Sequence, residues 1–336
     1  MPGFRELVTA SGLDAVTEHL DEALVLAALR EIHGLSGRLR RVASEKDETF
    51  VLHTADTRHL VKVSGEPAGD LALQTAVLRH LARTAPELPV PIARSGVDGA
   101  DRHEIAPGPR SLRVLSYLPG EPLSGRAFDP ESFGRRHAQL TRALAGFRGE
   151  HQDRRLLWDL RHLGALAPLL DTVDSADRVL AHRVLKEFAF RVRQGELETQ
   201  LVHNDLSPHN LLIDARGALT GILDFGDVLR TAVVFDLAIA LSNLLDPDVA
   251  DPWADPLAWL RGYLALRPIA EKELALLPLL ATARLVQRAL IASWRARRDP
   301  ARAAYVLSHA SRDWATARAV HAGRDAAAER VLGVGR

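Results

Sequence analysis

The 336-residue chain carries 43 lysines and arginines against 43 aspartates and glutamates, so no global field draws it toward nucleic acid or an anionic membrane. Its 47% hydrophobic content is ample for a compact two-lobed protein, and the absence of cysteine excludes disulfides, thiolate nucleophiles and cysteine-ligated zinc. With no apolar run long enough to span a bilayer, the chain is expected to be cytoplasmic, with a small molecule as partner, no nucleic acid and no membrane.

From about residue 49 to about residue 118 the chain reads mainly as strands. Residues 49–53, 59–63 and 112–117 are short, rich in β-branched or aromatic side chains and bounded by turn formers, which predicts an antiparallel sheet. Residues 70–82 carry Leu71, Val77, Leu78 and Leu81 at helical spacing, with Pro86 and Pro89 behind them, so one helix leans on that sheet. Pro119, Gly120 and Pro122 mark a hinge. Beyond it, residues 133–147, 176–193, 257–266 and the apolar stretch 277–290 predict helices, and the alanine- and arginine-rich tail from Ala301 predicts a surface helix. The exception is residues 211–213 and 219–223, which flank the turn 214–217 and predict a β-hairpin among the helices. The expected fold is α+β and protein-kinase-like. A small antiparallel β-sheet N-lobe, 1–118, and a mainly helical C-lobe, 119–336, would enclose a cleft.

The strongest chemical signal is Val202-His-Asn-Asp-Leu-Ser-Pro-His-Asn210, followed past the hairpin by Ile222-Leu-Asp-Phe-Gly-Asp227. Phosphoryl transfer from a nucleoside triphosphate to a hydroxyl needs alignment and charge neutralisation rather than covalent work by the protein. In kinase-like enzymes a loop aspartate accepts the hydroxyl proton, an asparagine five residues on binds a metal, and an aspartate beyond a hairpin binds the metals that bridge the phosphates. Asp205, Asn210 and Asp224 occupy those offsets, as base and as two oxygen ligands suited to Mg2+. His203 reads as structural, its ring bonding nearby backbone. Lys62 lies mid-strand in a chain with three other lysines, Lys46, Lys186 and Lys272, so a slim ammonium for the phosphates is the preferred reading there. No Walker A and no glycine-rich loop occurs. Residues 44–50 stand where such a loop would lie, with their backbone and Ser44 expected over the phosphates.

These residues resemble the aminoglycoside phosphotransferase and choline kinase superfamily, most closely its hydroxylysine kinase branch. The resemblance extends through residues 44–50, 61–63, 117–120, 158–160, 202–210, 221–227 and 234–238 to Arg284 and Gln287. It implies ATP or GTP as donor, with the base held by backbone around Ser116, Tyr117 and Leu118, and a small hydroxylated amine or amino acid as acceptor. Asn204 replaces the glycine usual before the loop aspartate, and Gln74 stands where relatives place the glutamate that pairs with the strand lysine, unless Asp70 or Glu66 substitutes. For a zwitterionic acceptor, Asp227 and Asp159 are candidates for the ammonium and Arg284 for the carboxylate, with Trp158 as a wall. Arg284 has an equal alternative in a salt bridge to Asp236 or Asp159, and Trp158 in core packing. Asp236 is expected to brace the catalytic loop. Homoserine, choline or ethanolamine, and an aminoglycoside are competing acceptors, and a catalytically silent nucleotide-binding module is the rival of another class. The sequence 202–227 is followed by no Ala-Pro-Glu element, which disfavours a protein substrate.

Overall fold

The computed structural model describes residues 2–13, 19–42, 44, 47–105, 108–298 and 303–335. Two helices come first, α1 (Phe4–Ala10) and α2 (Glu22–His33). A six-stranded antiparallel sheet follows: β1 (Arg38–Val42), β2 (Glu48–His53), β3 (Arg58–Ser64), β4 (Ala93–Arg94), β5 (His103–Ile105) and β6 (Arg110–Ser116), with α3 (Ala68–Thr84) crossing between β3 and β4. The strand order is β1-β2-β3-β6-β4, with β5 also paired to β6. The three strands and the helix expected in this region are present. Beyond these expectations the sheet gains the arginine-rich edge strand β1, in which Leu39 is the buried residue, the short strands β4 and β5, and the helix α2 that covers it.

Alternation across the pleat decides where the central strand aims its side chains. Val61 and Val63 enter a core with Phe50, Leu52, Leu112, Val114 and the α2 residues Val25 and Leu29. Lys62, between the two valines, therefore faces the other side of the sheet. There it stands between Thr49 and Arg113 in the strand register.

The rest of the chain is mainly helical. The short strand β7 (Glu121–Pro122) leads to α4 (Pro130–Ala145), a long 3-10 segment at Leu160–Thr172, and α5 (Ser175–Arg191). Then come β8 (Thr199–Val202), the hairpin β9 (Leu211–Ile213) and β10 (Leu219–Ile222), and β11 (Leu229–Ala232), with β11 paired to β8 and β7 to β9. Six helices complete the fold: α6 (Val233–Ser242), α7 (Ala254–Leu264), α8 (Glu271–Leu274), α9 (Leu277–Arg298), α10 (Ala303–Ala322) and α11 (Arg324–Val334). The predicted hairpin forms, its turn held by the Asp214 carboxylate, which accepts from Arg216 N at 2.8 Å and Ala218 N at 2.9 Å.

Two expectations need correction. A surface tail helix was read from Ala301, but α10 buries Ala310, Trp314, Ala317 and Val320 in the main core that α9 also enters. The division at residue 118 is likewise crossed by the packing. Leu7 and Val8 of α1 belong to the core of the helical lobe, Phe4 meets Trp294 edge-on with ring centroids 5.2 Å apart, and the Ser11 hydroxyl accepts from Leu157 N at 2.8 Å.

Helices α4 and α7 approach through two glycines. A Cβ on Gly134 would lie 1.9 Å from Trp259 O, and one on Gly262 would lie 1.9 Å from Glu131 O. Backbone cannot yield as a side chain can, so any methyl forces the helices apart. Gly134→Ala is expected to lower stability by about 2–3 kcal/mol, read as a reduced urea midpoint at unchanged slope.

Candidate active site

The loop that carries Asp205 starts where β8 ends. Asn204 adopts φ +65°, a left-handed conformation that asparagine tolerates better than bulkier residues, which accounts for the glycine or asparagine at this place. Its backbone N–H donates to Asp236 Oδ1 at 2.6 Å. The other oxygen of Asp236 accepts from His137 Nε2 at 2.8 Å, while His137 Nδ1 accepts from Trp259 Nε1 at 3.3 Å, an arrangement that requires the Nε2–H tautomer. Burial alone would raise the pKa of Asp236, but the bond from His137 and the other donors hold it below the usual carboxylate range. His203, fully buried, donates from Nε2 to Leu223 O at 2.9 Å and accepts from Asp205 N at 3.2 Å, so one ring ties the loop to the end of the hairpin.

The three residues singled out by spacing come together. Asn210 Nδ2 donates to Asp205 Oδ2 at 2.7 Å and to Asp205 O at 2.9 Å. That turns its amide nitrogen away and leaves Oδ1, the ligating atom of an amide, for a cation. Asn210 O accepts from Leu223 N at 2.8 Å, which places Asn210 beside the residue that precedes Asp224. Asp224 takes φ +58°, and its Oδ1 lies 3.7 Å from Lys62 Nζ and accepts from Gly226 N at 3.2 Å. Asp205 is pushed up to about 7, first by burial and then by the charge of Asp227, while Arg284 pulls the other way.

The partner of Lys62 was not foreseen. Asp47 Oδ2 lies 3.2 Å from its ammonium, and the charges of Asp224 and Asp47 together outweigh burial, the largest single influence, so the lysine pKa is raised. Neither proposed substitute for the helix glutamate takes that place. Asp70 pairs with Arg154 at 2.8 Å, and Glu66 accepts from Gln74 Nε2 at 2.9 Å. Arg113, opposite Lys62 across the strand pair and 2% exposed, adds a second cation behind the first, with burial lowering its pKa. Ser44 lines the cleft, whereas Glu45 and Lys46 of the expected phosphate loop lie outside the described residues.

These groups face a cleft of about 1470 Å3 that continues past Asp205 between α6, α7, α9 and α10. Asp227, Trp158 and Arg284 line it. Arg284 makes neither of the salt bridges weighed for it. Its Nη1 donates to Trp158 O at 2.7 Å and to Gln287 Oε1 at 2.9 Å, its guanidinium lies over the Trp158 ring at 5.4 Å, and Nη2 is 4.0 Å from Asp205 Oδ1. Asp159 is no acceptor contact. Fully buried, it caps the 3-10 segment, accepting from Arg161 N at 3.0 Å, Arg161 Nε at 2.6 Å and the Thr231 hydroxyl at 2.9 Å. Ser116 is also placed differently from expectation. Its amide donates to Ile92 O at 2.8 Å and its hydroxyl accepts from Ile92 N at 2.9 Å, so Ser116 fastens the sheet edge and its amide is not available to a base. Tyr117 lies under the guanidinium of Arg58, 4.1 Å from the ring centre, and Leu118 follows it toward the hinge.

Residues 38–275 match the family model described as "Phosphotransferase enzyme family". The chain belongs to that family. It is 28% identical over 226 residues to the hydroxylysine kinase of Mus musculus, an alignment covering 60% of this chain and 58% of that relative, so less than two thirds of the relative is spanned. It is 27% identical over 248 residues to the homoserine kinase of Chelativorans sp. (strain BNC1), covering 70% and 73%. A microcompartment-associated aminopropanol kinase superposes with a TM-score of 0.73 at 19% identity, covering 90% of this chain and 98% of that one, which shows the fold alone. The expected family and the kinase-like fold are thereby borne out.

The donor set of this site fits magnesium. Among the described residues no three histidines, cysteines, aspartates or glutamates cluster as a closed metal cage. One amide oxygen and one carboxylate is the sparse protein contribution that Mg2+ accepts when phosphates and waters complete its octahedron. His137 was invisible in the sequence because it acts on Asp236 across 99 residues, whereas Asp47 directly precedes the strand paired with that of Lys62, so the hairpin register carried its signal. Arg288, one turn beyond Arg284 on α9 and also facing the cleft, carried a signal in its i+4 spacing. Also among the described residues, no helix is long and apolar enough to cross a membrane.

Burial holds the pKa of His203 below its usual 6.5, so the folded chain binds this proton less readily than the unfolded chain. The stability it contributes is complete above about pH 6.5 and is lost as pH falls below that value. Urea midpoints at about pH 7.5 and about pH 5.5 are expected to differ less in His203→Gln than in the wild type.

Proposed function

We propose that this protein is a small-molecule kinase that transfers the γ-phosphoryl group of ATP or GTP, with Mg2+, to the hydroxyl of a hydroxy amino acid of the hydroxylysine or homoserine class. The observation that carries this reading is Asn210, whose amide is bonded to the Asp205 carboxylate while its backbone is bonded to Leu223 beside Asp224. A base and two oxygen ligands are thereby locked around one space, with the Lys62 ammonium on its far side. In the step, the acceptor hydroxyl gives its proton to Asp205 as its oxygen bonds to the γ-phosphorus. The bond from that phosphorus to the bridging oxygen breaks, and a phosphate ester and a nucleoside diphosphate result. Asn210 and Asp224 would hold magnesium, which when bound neutralises charge on the phosphates. Lys62 and, behind it, Arg113 supply positive potential to the same oxygens.

The acceptor class rests on the charge pattern of the deeper cleft. Arg284, Arg288, Arg295 and Arg312 line it together with Asp227, Asp246, Asp251, Asp255 and Asp313, an environment of both signs that suits a zwitterion better than a polycation. The hydroxylysine and homoserine kinases among the relatives support the same class.

The test is ADP or GDP release over a panel containing hydroxylysine, homoserine, choline and an aminoglycoside. Turnover is expected with the first two, and Asp205→Ala should lose roughly 10^3-fold in kcat while still binding nucleotide. Turnover that survives Asp205→Ala would remove the base from the mechanism. Preference for choline or the aminoglycoside would remove the acceptor class.

A base works only when deprotonated, so kcat/KM should rise through the region of pH 7 in which Asp205 loses its proton. Arg284→Gln removes the cation that favours the charged form, and the acidic limb is expected to move to higher pH. A limb that stays in place would dissociate Arg284 from the base.

A further inference from the structure

We propose that Arg288, gripped by Asp313 and Asn243 at the deep end of the cleft, is the subsite for the acceptor's α-carboxylate. The inference rests on the hydroxy amino acid reading above and assigns that reading's anion to a residue other than Arg284.

Three helices fix this guanidinium. Arg288 is on α9, Asp313 on α10, and Asn243 follows the end of α6. Nε donates to Asp313 Oδ2 at 3.0 Å, Nη2 donates to Asp313 Oδ1, and Nη1 donates to Asn243 Oδ1. An arginine has five N–H groups, and among the described residues three of the five are engaged, which leaves one on each Nη. The side chain is 28% exposed and Asp313 12%, so the pair is covered at its rear while one edge opens on the cleft. A planar fork held in this manner loses little freedom on meeting a carboxylate.

Reach separates Arg288 from Arg284. The hydroxyl to be phosphorylated must sit at Asp205. In homoserine or hydroxylysine, four or five bonds lie between that oxygen and the carboxylate carbon, on the order of 5–6 Å when extended. Arg284 Nη2 is 4.0 Å from Asp205 Oδ1, so a carboxylate seated there would share one guanidinium with the base and repel it. Arg288 is one helical turn farther, a rise of roughly 6 Å along α9. Arg284 then keeps its place beside Asp205.

Two matched pairs of acceptors test this: homoserine against 3-aminopropan-1-ol, and hydroxylysine against 1,5-diaminopentan-2-ol, each second member lacking only the carboxylate. Wild-type kcat/KM should favour the carboxylated member by about 100-fold. In Arg288→Met that preference should collapse toward one, with the loss falling on KM. Arg288→Lys keeps a charge beside Asp313 but not the fork, and should retain a preference of about 10-fold. Nucleotide affinity measured by calorimetry reports that each variant is folded. If the variants slow both members of a pair equally, the carboxylate subsite is wrong while the hydroxy amino acid reading survives; a wild type that does not distinguish them overturns the subsite and the hydroxy amino acid reading alike. If the wild type phosphorylates no member of either pair, both fall together.

Discussion

One buried carboxylate sets the catalytic loop. Asp236 is 2% exposed on α6, where an isolated charge would be severely penalised, and it remains ionised because His137 and the backbone of Asn204 each fill one of its oxygens. Pulling on the Asn204 amide holds that residue in the left-handed region, and the reversal in chain direction there sends the Asp205 side chain out to the cleft. His203 fastens the same loop to Leu223, so the two flanks of the hairpin are positioned as a unit. The tight α4–α7 crossing matters for the same reason. His137 comes from one helix and Trp259, which orients its ring, from the other.

Electrostatics in the cleft follows from crowding like charges and then interleaving cations. Burial first, and then the charges of Asp227 and Asp224, raise the pKa of Asp205, which Arg284 opposes, while Lys62 faces Asp224 from the sheet. Asp47 lies against Lys62 at 3.2 Å, in the role for which Asp70 and Glu66 were the expected substitutes. Such positioning is stiff. Arg284 is tethered by two acceptors and a tryptophan face, and Gln287 is itself tied through Nε2 to Leu157 O at 2.9 Å.

Much of this was legible one residue at a time. The valines flanking Lys62 predicted a strand, and a strand's alternation sends Lys62 to the face opposite the valines. Asp205, Asn210 and Asp224 were legible because the hairpin between them is local, so sequence spacing is nearly spatial spacing. Asp159 misled for the opposite reason. It adjoins Trp158, which does line the cleft, but consecutive residues diverge, and its carboxylate turned inward to cap the next segment. Ser116 misled because a strand end offers the same amide to a ligand and to a neighbouring chain, and Ile92 took it.

The sequence by itself determined the family, the strand and helix content around the site, and the gathering of Asp205, Asn210 and Asp224 about the hairpin. These depend on short-range periodicity and spacing, which a linear chain carries intact. Tertiary structure alone decided that α1 joins the helical lobe, that His137 meets Asp236, and that Arg288 is forked by Asp313. Those are pairings between segments far apart in the chain, chosen by which surfaces can be buried together. Nothing in the local order of residues encodes them.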